Sequence, residues 1–479
     1  MKSCGLKLKR GAPALAVVVA LFLWTGCASA PVADTDAYYV SANGDDSQDG
    51  LTEERAFKTL KKALDAARGE GARKVIIVAG TLTMDSEGAA EGASVFDIRN
   101  TGDEAVTIRG KAGAKLSAFN TGKRVIQLFG NARIRLEDIE VSGGRIADQD
   151  IVKGGGGGAL VVNGAALIAG KGAVIRGNQA QAGGGVAVGN RGSSFTLDGG
   201  EVRENGSATD GGGILAIAEG AVNIAAGSVA GNTAAAQGGG LSVQTGATAS
   251  IAGGDISGNK ASDGGGLHIT GVAAMQGGRI RGNLAADSGG GAYIVGKGAF
   301  TLRGGEILDN HAPLSGGGVA VYDGGFVMQD GNVSGNAASS DTGAGGGVFV
   351  IQGSFEFSGG RIAGNVANNS GGGVNANHGS VFVMSGGEIA GNRSVYGGSG
   401  VAVLGDGNSF TKTGGIIYGL DAEEDLRNFN TEGGNSVDVT RNTDLRVALI
   451  TEIKRRRNTT GEAVRLDSSK NGAEGGWEL

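Results

Sequence analysis

The sequence predicts an all-β fold, a single-stranded right-handed parallel β-helix (solenoid) with an N-terminal amphipathic capping helix, and three observations lead there. Glycine supplies 97 of 479 residues against 3 prolines, which excludes collagen, whose triplet needs abundant proline. Hydrophobic residues make up 40% and aromatics 5%, so the apolar mass is mainly small and branched aliphatics. That suits a slim core of many similar layers better than two or three compact domains. Finally, Gly158, Gly185, Gly213, Gly240, Gly266, Gly291, Gly318, Gly347, Gly373 and Gly400 each close a glycine-rich group, 25 to 29 residues apart.

Residues 1–26 read as a targeting segment. Lys2, Lys7, Lys9 and Arg10 form a basic start, and the apolar run Ala14 to Trp24 is too short to span a bilayer comfortably. Its end, "LFLWTGC", resembles a bacterial lipoprotein signal, which implies lipidation of Cys27; an ordinary secretory cut after Ala30 is the alternative. Cys4 and Cys27 are the only cysteines, so the mature chain, with Cys4 removed, can form no internal disulfide. Removal of 1–26 takes away four basic side chains and moves the formal charge from −6 to −10. An acidic body argues against nucleic-acid binding. Residues 27–37 read as a linker.

Residues 38–153 hold the N-terminal cap and early coils. Phe57, Leu60, Leu64 and Ala67 share one helical face, with Lys58, Lys61 and Lys62 on the other. Such a helix can cover the open end of a β-helix. "YYVSANGDDSQDGLTEERAFKTLKKALDAA" (38–67) resembles the opening segment of many secreted right-handed β-helix proteins, some of them polysaccharide lyases, at Tyr39, Val40, Ser41, Gly44, Asp46, Gly50, Phe57, Thr59, Leu60, Ala63 and Leu64; Ala56 replaces the usual proline. The resemblance implies architecture more than activity. Asp45, Asp46 and Asp49 invite a calcium reading but lack the spacing and terminal Glu of a known calcium loop, so a capped turn is expected.

Residues 154–419 hold glycine-rich repeats of about 27 residues. A second marker keeps the same beat: Asn178, Asn205, Asn232, Asn259, Asn283, Asn310, Asn336, Asn365 and Asn392. One unit reads GGG-Φ-x-Φ, a turn, Φ-x-Φ, GG, then [IV]-x-x-N, with Φ apolar. It offers three short runs with period-two alternation, such as "VAV" (319–321), "FVM" (326–328) and "NVSG" (332–335), and nothing of helical length. Stacking each unit on the last pairs every run in parallel at about 4.8 Å. The usual crossover hand makes the coil right-handed.

On this reading the glycines are corners that take φ > 0. The asparagines are a structural ladder: they tolerate left-handed turns, and their amides hydrogen-bond along the axis. The GGG-[AVIL] and [IV]-x-x-N pair is similar to the GGA-[ILV] and F-x-x-N repeats of chlamydial polymorphic outer-membrane proteins, which are surface adhesins. The resemblance implies a β-helix and a surface role. The roughly 60 residues after the repeats leave no room for that family's translocating barrel.

Residues 420–479 form an end segment, in which "KRRR" (454–457) reads as polar surface. For chemistry, the position opening each [IV]-x-x-N element carries Glu201, Ser228, Asp255, Arg279, Glu306, Asn332, Arg361 and Glu388. Its alternating signs are expected to form a structural charge ladder, Asp255, Arg279 and Glu306 in one column and Arg361 with Glu388 in another. His268, His311 and His378 share no metal-ligand spacing. Tyr322, Phe326, Phe349, Phe355 and Phe357 are the nearest approach to stacking platforms for sugars. No coil is expected to gather two acids with a base, so no catalytic residue, metal or cofactor is assigned.

The expectation is a monomer held on a bacterial membrane by its lipid anchor, at the outer membrane or cell surface, serving adhesion or glycan or host-surface binding. A polysaccharide lyase or glycoside hydrolase and a passive spacer are the alternatives.

Overall fold

The computed structural model describes residues 36–87, 93–102, 104–148, 155–419, 422–431, 437–439, 444–448, 453–457 and 464–465. Cys27, the signal segment and most of the linker lie outside the described residues. The chain from Asp36 onward forms one contact unit, an all-β right-handed parallel solenoid of about twelve turns with only 2% helix.

The strand Ala37–Ser41 pairs in parallel with Val75–Ala79, which pairs with Val106–Gly110, then Arg133–Glu137, then Ala166–Ala169. The opening segment is thus itself the first coil, and no seam separates early coils from glycine-rich repeats. Three sheets run along the axis, of 27, 14 and 10 strands among the described residues. In one coil, Val319–Tyr322 belongs to the 14-stranded sheet, Gly325–Met328 and Asn332–Ser334 to the 27-stranded sheet, and Ala337–Ala338 to the 10-stranded sheet. The two-residue strand after each asparagine is a fourth strand that the three-run reading missed, because two residues show no periodicity.

Inward residues alternate with outward ones on the longer strands, and the inward columns form one continuous core. Phe300, Phe326, Phe355, Phe382 and Phe410 stack inside it, one per coil, with ring centroids 4.9 to 5.6 Å apart. The helix Leu60–Ala66 is shorter than the amphipathic stretch but uses the expected face: Phe57, Leu60, Leu64 and Ala67 are buried, and Lys58, Lys61 and Lys62 are outward. Its Thr59 N-cap accepts from the Lys62 N–H at 3.1 Å.

The glycine triplets do two different things. Only the first of each takes positive φ, as at Gly264 (63°). A Cβ on Gly265 would lie 2.6 Å from the Leu284 carbonyl, and one on Gly266 would lie 2.5 Å from the Gly291 carbonyl oxygen. The second and third glycines are therefore required by close stacking of neighbouring coils, which corrects the view that all three are corners.

At the far end, Val437–Val439 and Asp444–Ala448 continue the parallel pairing. Ile453–Arg457 then runs antiparallel to Asp444–Ala448, and Val464–Arg465 antiparallel to Asp438 and Val439. "KRRR" accordingly lies on a reversed strand that ends the stack. Among the described residues no helix is long and apolar enough to cross a membrane.

Candidate functional site

The outer face of the 14-stranded sheet is where polar and aromatic chemistry collects. Its strands supply outward side chains in register from coil to coil: Ser242 aligns with His268, His268 with Tyr293, Val295 with Tyr322, Ala320 with Phe349, and Phe349 with Asn375. Beside this floor runs a row formed by the residue preceding each glycine triplet. Asp210, Gln237, Asp263, Ser288, Ser315, Ala344 and Ser370 each accept a backbone N–H from the first glycine of the preceding coil at 2.9 to 3.0 Å. Row and floor touch at Tyr322 Oη to Ser315 Oγ, 3.3 Å, and Asn375 Nδ2 to Ser370 Oγ, 2.8 Å. Gln244 Nε2 donates to Asp210 Oδ2 at 3.1 Å. Row and floor together form a polar and aromatic strip, the groove, that runs parallel to the solenoid axis.

Its early coils are apolar: Leu160, Val162, Ala182, Ala187 and Leu215 pack together with Phe129 and Ile217. From Ser242 onward it changes character. The His268 ring stacks on Tyr293 at 6.0 Å, Tyr293 meets Tyr322 at 5.3 Å, and Tyr322 meets Phe349 at 5.6 Å. Tyr293 and Tyr322 are half-buried, so parts of both rings face solvent.

Burial sets the electrostatics. It depresses the His268 imidazole to about 4, leaving it neutral at physiological pH. Its Nδ1 contacts Ser242 Oγ at 3.1 Å, while Nε2 has no hydrogen-bond partner. Burial also raises the Asp210 and Asp263 carboxyls against amide donors, Ser288 N–H reaching Asp263 Oδ1 at 3.2 Å. The Tyr293 phenol is pushed up to about 12, chiefly by burial and then by the negative fields of Asp263, Tyr322 and Asp287. Two acids from adjacent coils thus act on a tyrosine stacked against a neutral histidine, each coil contributing one acid. The acids sit in the glycine-rich turn and the histidine in the strand after it. Only the register of adjacent coils brings Asp287 to the same patch.

The aromatic set read from the sequence divides. Tyr322 and Phe349 stand on the groove floor, whereas Phe326, Phe355 and Phe357 are core. His311 lies elsewhere, its Nε2 2.7 Å from Ser339 Oγ, and His378 sits in a turn with φ 28°.

The charge ladder lies on the outer face of the 27-stranded sheet. Asp255 aligns with Arg279 and Arg279 with Glu306, but the ion pair that Asp255 makes is diagonal, to Arg281 at 2.6 Å. Among the described residues no pair within 4 Å joins Arg279 to Glu306. Glu201 pairs with Arg203 two residues along its own strand, and Arg361 reaches Glu388 at 4.0 Å. Ser228 stands between Glu201 and Asp255, and Asn332 between Glu306 and Arg361. These contacts hold Glu201, Asp255 and Arg361 in local pairs on the sheet surface.

The nine asparagines are buried and form a continuous amide chain. Each Oδ1 from Asn205 to Asn392 accepts both the backbone N–H and Nδ2 of the asparagine one coil earlier, and Asn178 Oδ1 accepts the Gly144 N–H. None has positive φ. The left-handed residue is the one before, Gly258 in one coil and Glu204 or Asp309 in others. Asn428, 36 residues after Asn392, adds a tenth rung that the irregular spacing hid.

The acidic turn is occupied by protein donors. Asp46 accepts from Lys58 N–H, Thr59 N–H and Thr59 Oγ1, Asp45 from Ser47 N–H, and Asp49 from Leu51 N–H while pairing with Arg55. Among the described residues no group of three His, Cys, Asp or Glu is placed to hold a metal. No family model and no curated protein matches the chain.

Proposed function

We propose that this chain is a lipid-anchored bacterial envelope protein, displayed at the outer membrane or cell surface, that binds an extended ligand, a glycan or host-surface component, along the groove of the 14-stranded sheet. The observation that carries this reading is the run of rings and polar groups from Ser242 to Asn375, half-buried at Tyr293 and Tyr322 and otherwise buried, one outward set per coil along the axis. Extended polymers match such a repeat, because successive units meet successive coils. The likeness of the repeats to those of chlamydial surface adhesins supports the same role, and the helix Leu60–Ala66 serves as the N-terminal cap.

Binding is tested on a glycan and host-matrix array with the purified protein. Tyr293→Ala is expected to weaken capture about tenfold, a loss of about 1.4 kcal/mol for one ring contact. Capture that survives this change undiminished places the ligand elsewhere, and an array without hits leaves the spacer reading. The anchor is tested separately: radiolabelled fatty acid is expected to enter the native chain and not Cys27→Ser, since several acyl chains hold a protein firmly where one is marginal.

Polysaccharide cleavage is the second reading, favoured by Asp263 and Asp287 beside Tyr293 and the neutral His268. The same array ligands, checked for released reducing or unsaturated ends, decide between binding and cleavage.

A further inference from the structure

We infer that the groove takes a linear glycan whose sugars carry amines or hydroxyls and no carboxylates, with protonated amino-sugar units seated at Asp263 and Asp287, which lie on neighbouring turns joined by the Ser288 N–H to Asp263 Oδ1 bond. The inference rests on the groove reading above and names the ligand class for it.

Charge is the first argument. From coil 155–162 to coil 397–404, neither outward column of the 14-stranded sheet nor the adjoining row contains a lysine or arginine. The neighbouring outer face of the 27-stranded sheet, by contrast, carries Arg203, Arg279, Arg281 and Arg361. A uronate chain would lie against Asp210, Asp263 and Asp287 with no counter-charge, which costs affinity at every sugar. An ammonium meets carboxylates and half-buried tyrosine rings at once, and both attract it.

Unmet hydrogen bonding is the second. His268 Nε2 and Asn375 Oδ1 have no protein partner, although their residues are 3% and 0% exposed. Both stand at outward positions of the groove floor. A buried polar atom without a partner is rare and calls for water or a ligand. Both atoms are closed to solvent, so a bridging water connects them to sugar hydroxyls, which donate and accept.

The arrangement also favours a glycan over a basic peptide. Strands of the floor between the ends of the solenoid are paired on both sides, so no free backbone edge is offered for strand addition. What the groove offers is rings, carboxylates and hydroxyls at coil spacing.

The test uses the full-length protein in detergent micelles, titrated with a glucosamine oligomer, its fully N-acetylated counterpart, an oligogalacturonate and a lysine-rich peptide. The glucosamine oligomer is expected to bind about tenfold tighter than the acetylated one, the sum of two partly exposed ion pairs, and the oligogalacturonate not at all. Asp263→Asn with Asp287→Asn is expected to abolish that preference while acetylated binding remains, and Tyr293→Ala is expected to weaken both. A preference that survives the double substitution, or uronate binding lost on Tyr293→Ala, overturns the ligand class and keeps the groove. Peptide binding without glycan binding assigns the groove to a polypeptide and also overturns the class. Glycan binding indifferent to Tyr293→Ala, or no binding by any probe, overturns the groove reading itself.

Discussion

Asn283→Ala is expected to destabilise the solenoid by about 3–5 kcal/mol, far more than its side-chain volume accounts for. Asn283 Oδ1 accepts the Asn259 N–H at 3.0 Å and Asn259 Nδ2 at 2.9 Å, while its own Nδ2 donates to Ile256 O at 2.9 Å and Asn310 Oδ1 at 3.0 Å. Alanine removes all four contacts at a site 1% exposed, where water cannot replace them. Each buried group left unpaired costs about 1–3 kcal/mol. The chain of amides is also broken in the middle, so any mutual polarisation along it is lost on both sides.

Glu306→Ala, at an exposed position of the charge ladder, is the comparison, with an expected cost of about 0–1 kcal/mol. Urea unfolding reads the difference. Amide exchange in the coils from Asn259 to Asn310 shows whether the damage is local, as an array of coupled repeats allows. Equal costs for the two substitutions would mean that the amide chain contributes no more than a surface charge.

How much of this was legible in the sequence follows from what each feature depends on. The coil is written in local order: glycine triplets, apolar alternation and asparagine recur in phase, so the parallel stack and its core columns follow from one unit. The asparagine rungs were legible for the same reason. Asn428 was not, because the last coil is longer and its marker falls out of phase.

The groove depends on register between coils, which no single unit displays. Asp263 and His268 lie five residues apart and look like a turn and a strand. Asp287 and Tyr293 are a coil later, and only pairing of Leu267–Ile269 with Ala292–Ile294 sets them together. The one available signal was the switch at the outward positions from Leu160, Ala187 and Leu215 to Ser242, His268 and Tyr293, visible only once the repeats are aligned column by column. The diagonal Asp255–Arg281 pair escaped for a related reason: a long arginine reaches the outward position two residues away as readily as the one opposite.

Deletion of residues 38–67 is expected to drive the protein into aggregates, whereas deletion of the whole repeat 266–290 should leave a soluble rod about 4.8 Å shorter. The first change removes the strand Ala37–Ser41 except Ala37, together with the buried Phe57, Leu60, Ala63, Leu64 and Ala67. It uncovers the apolar Ile76 and Val78 and leaves Val75–Ala79 as an unpaired parallel edge, the arrangement most prone to pairing with another chain.

The second change joins Gly265 to Gly291 in phase. Leu241–Val243 then meets Ala292–Ile294, Thr248–Ile251 meets Ala299–Leu302, and Asn259 meets Asn310, so every remaining strand and amide regains a partner of the same kind. The costs are small and specific: Asp255 loses Arg281 and comes to face Glu306, a like-charge pair on an exposed surface worth at most about 1 kcal/mol. Size-exclusion chromatography with urea melts on both variants reads the contrast. A repeat deletion that unfolds the chain while the 38–67 deletion stays soluble and cooperative would contradict coil-by-coil additivity and the capping role of the opening segment together.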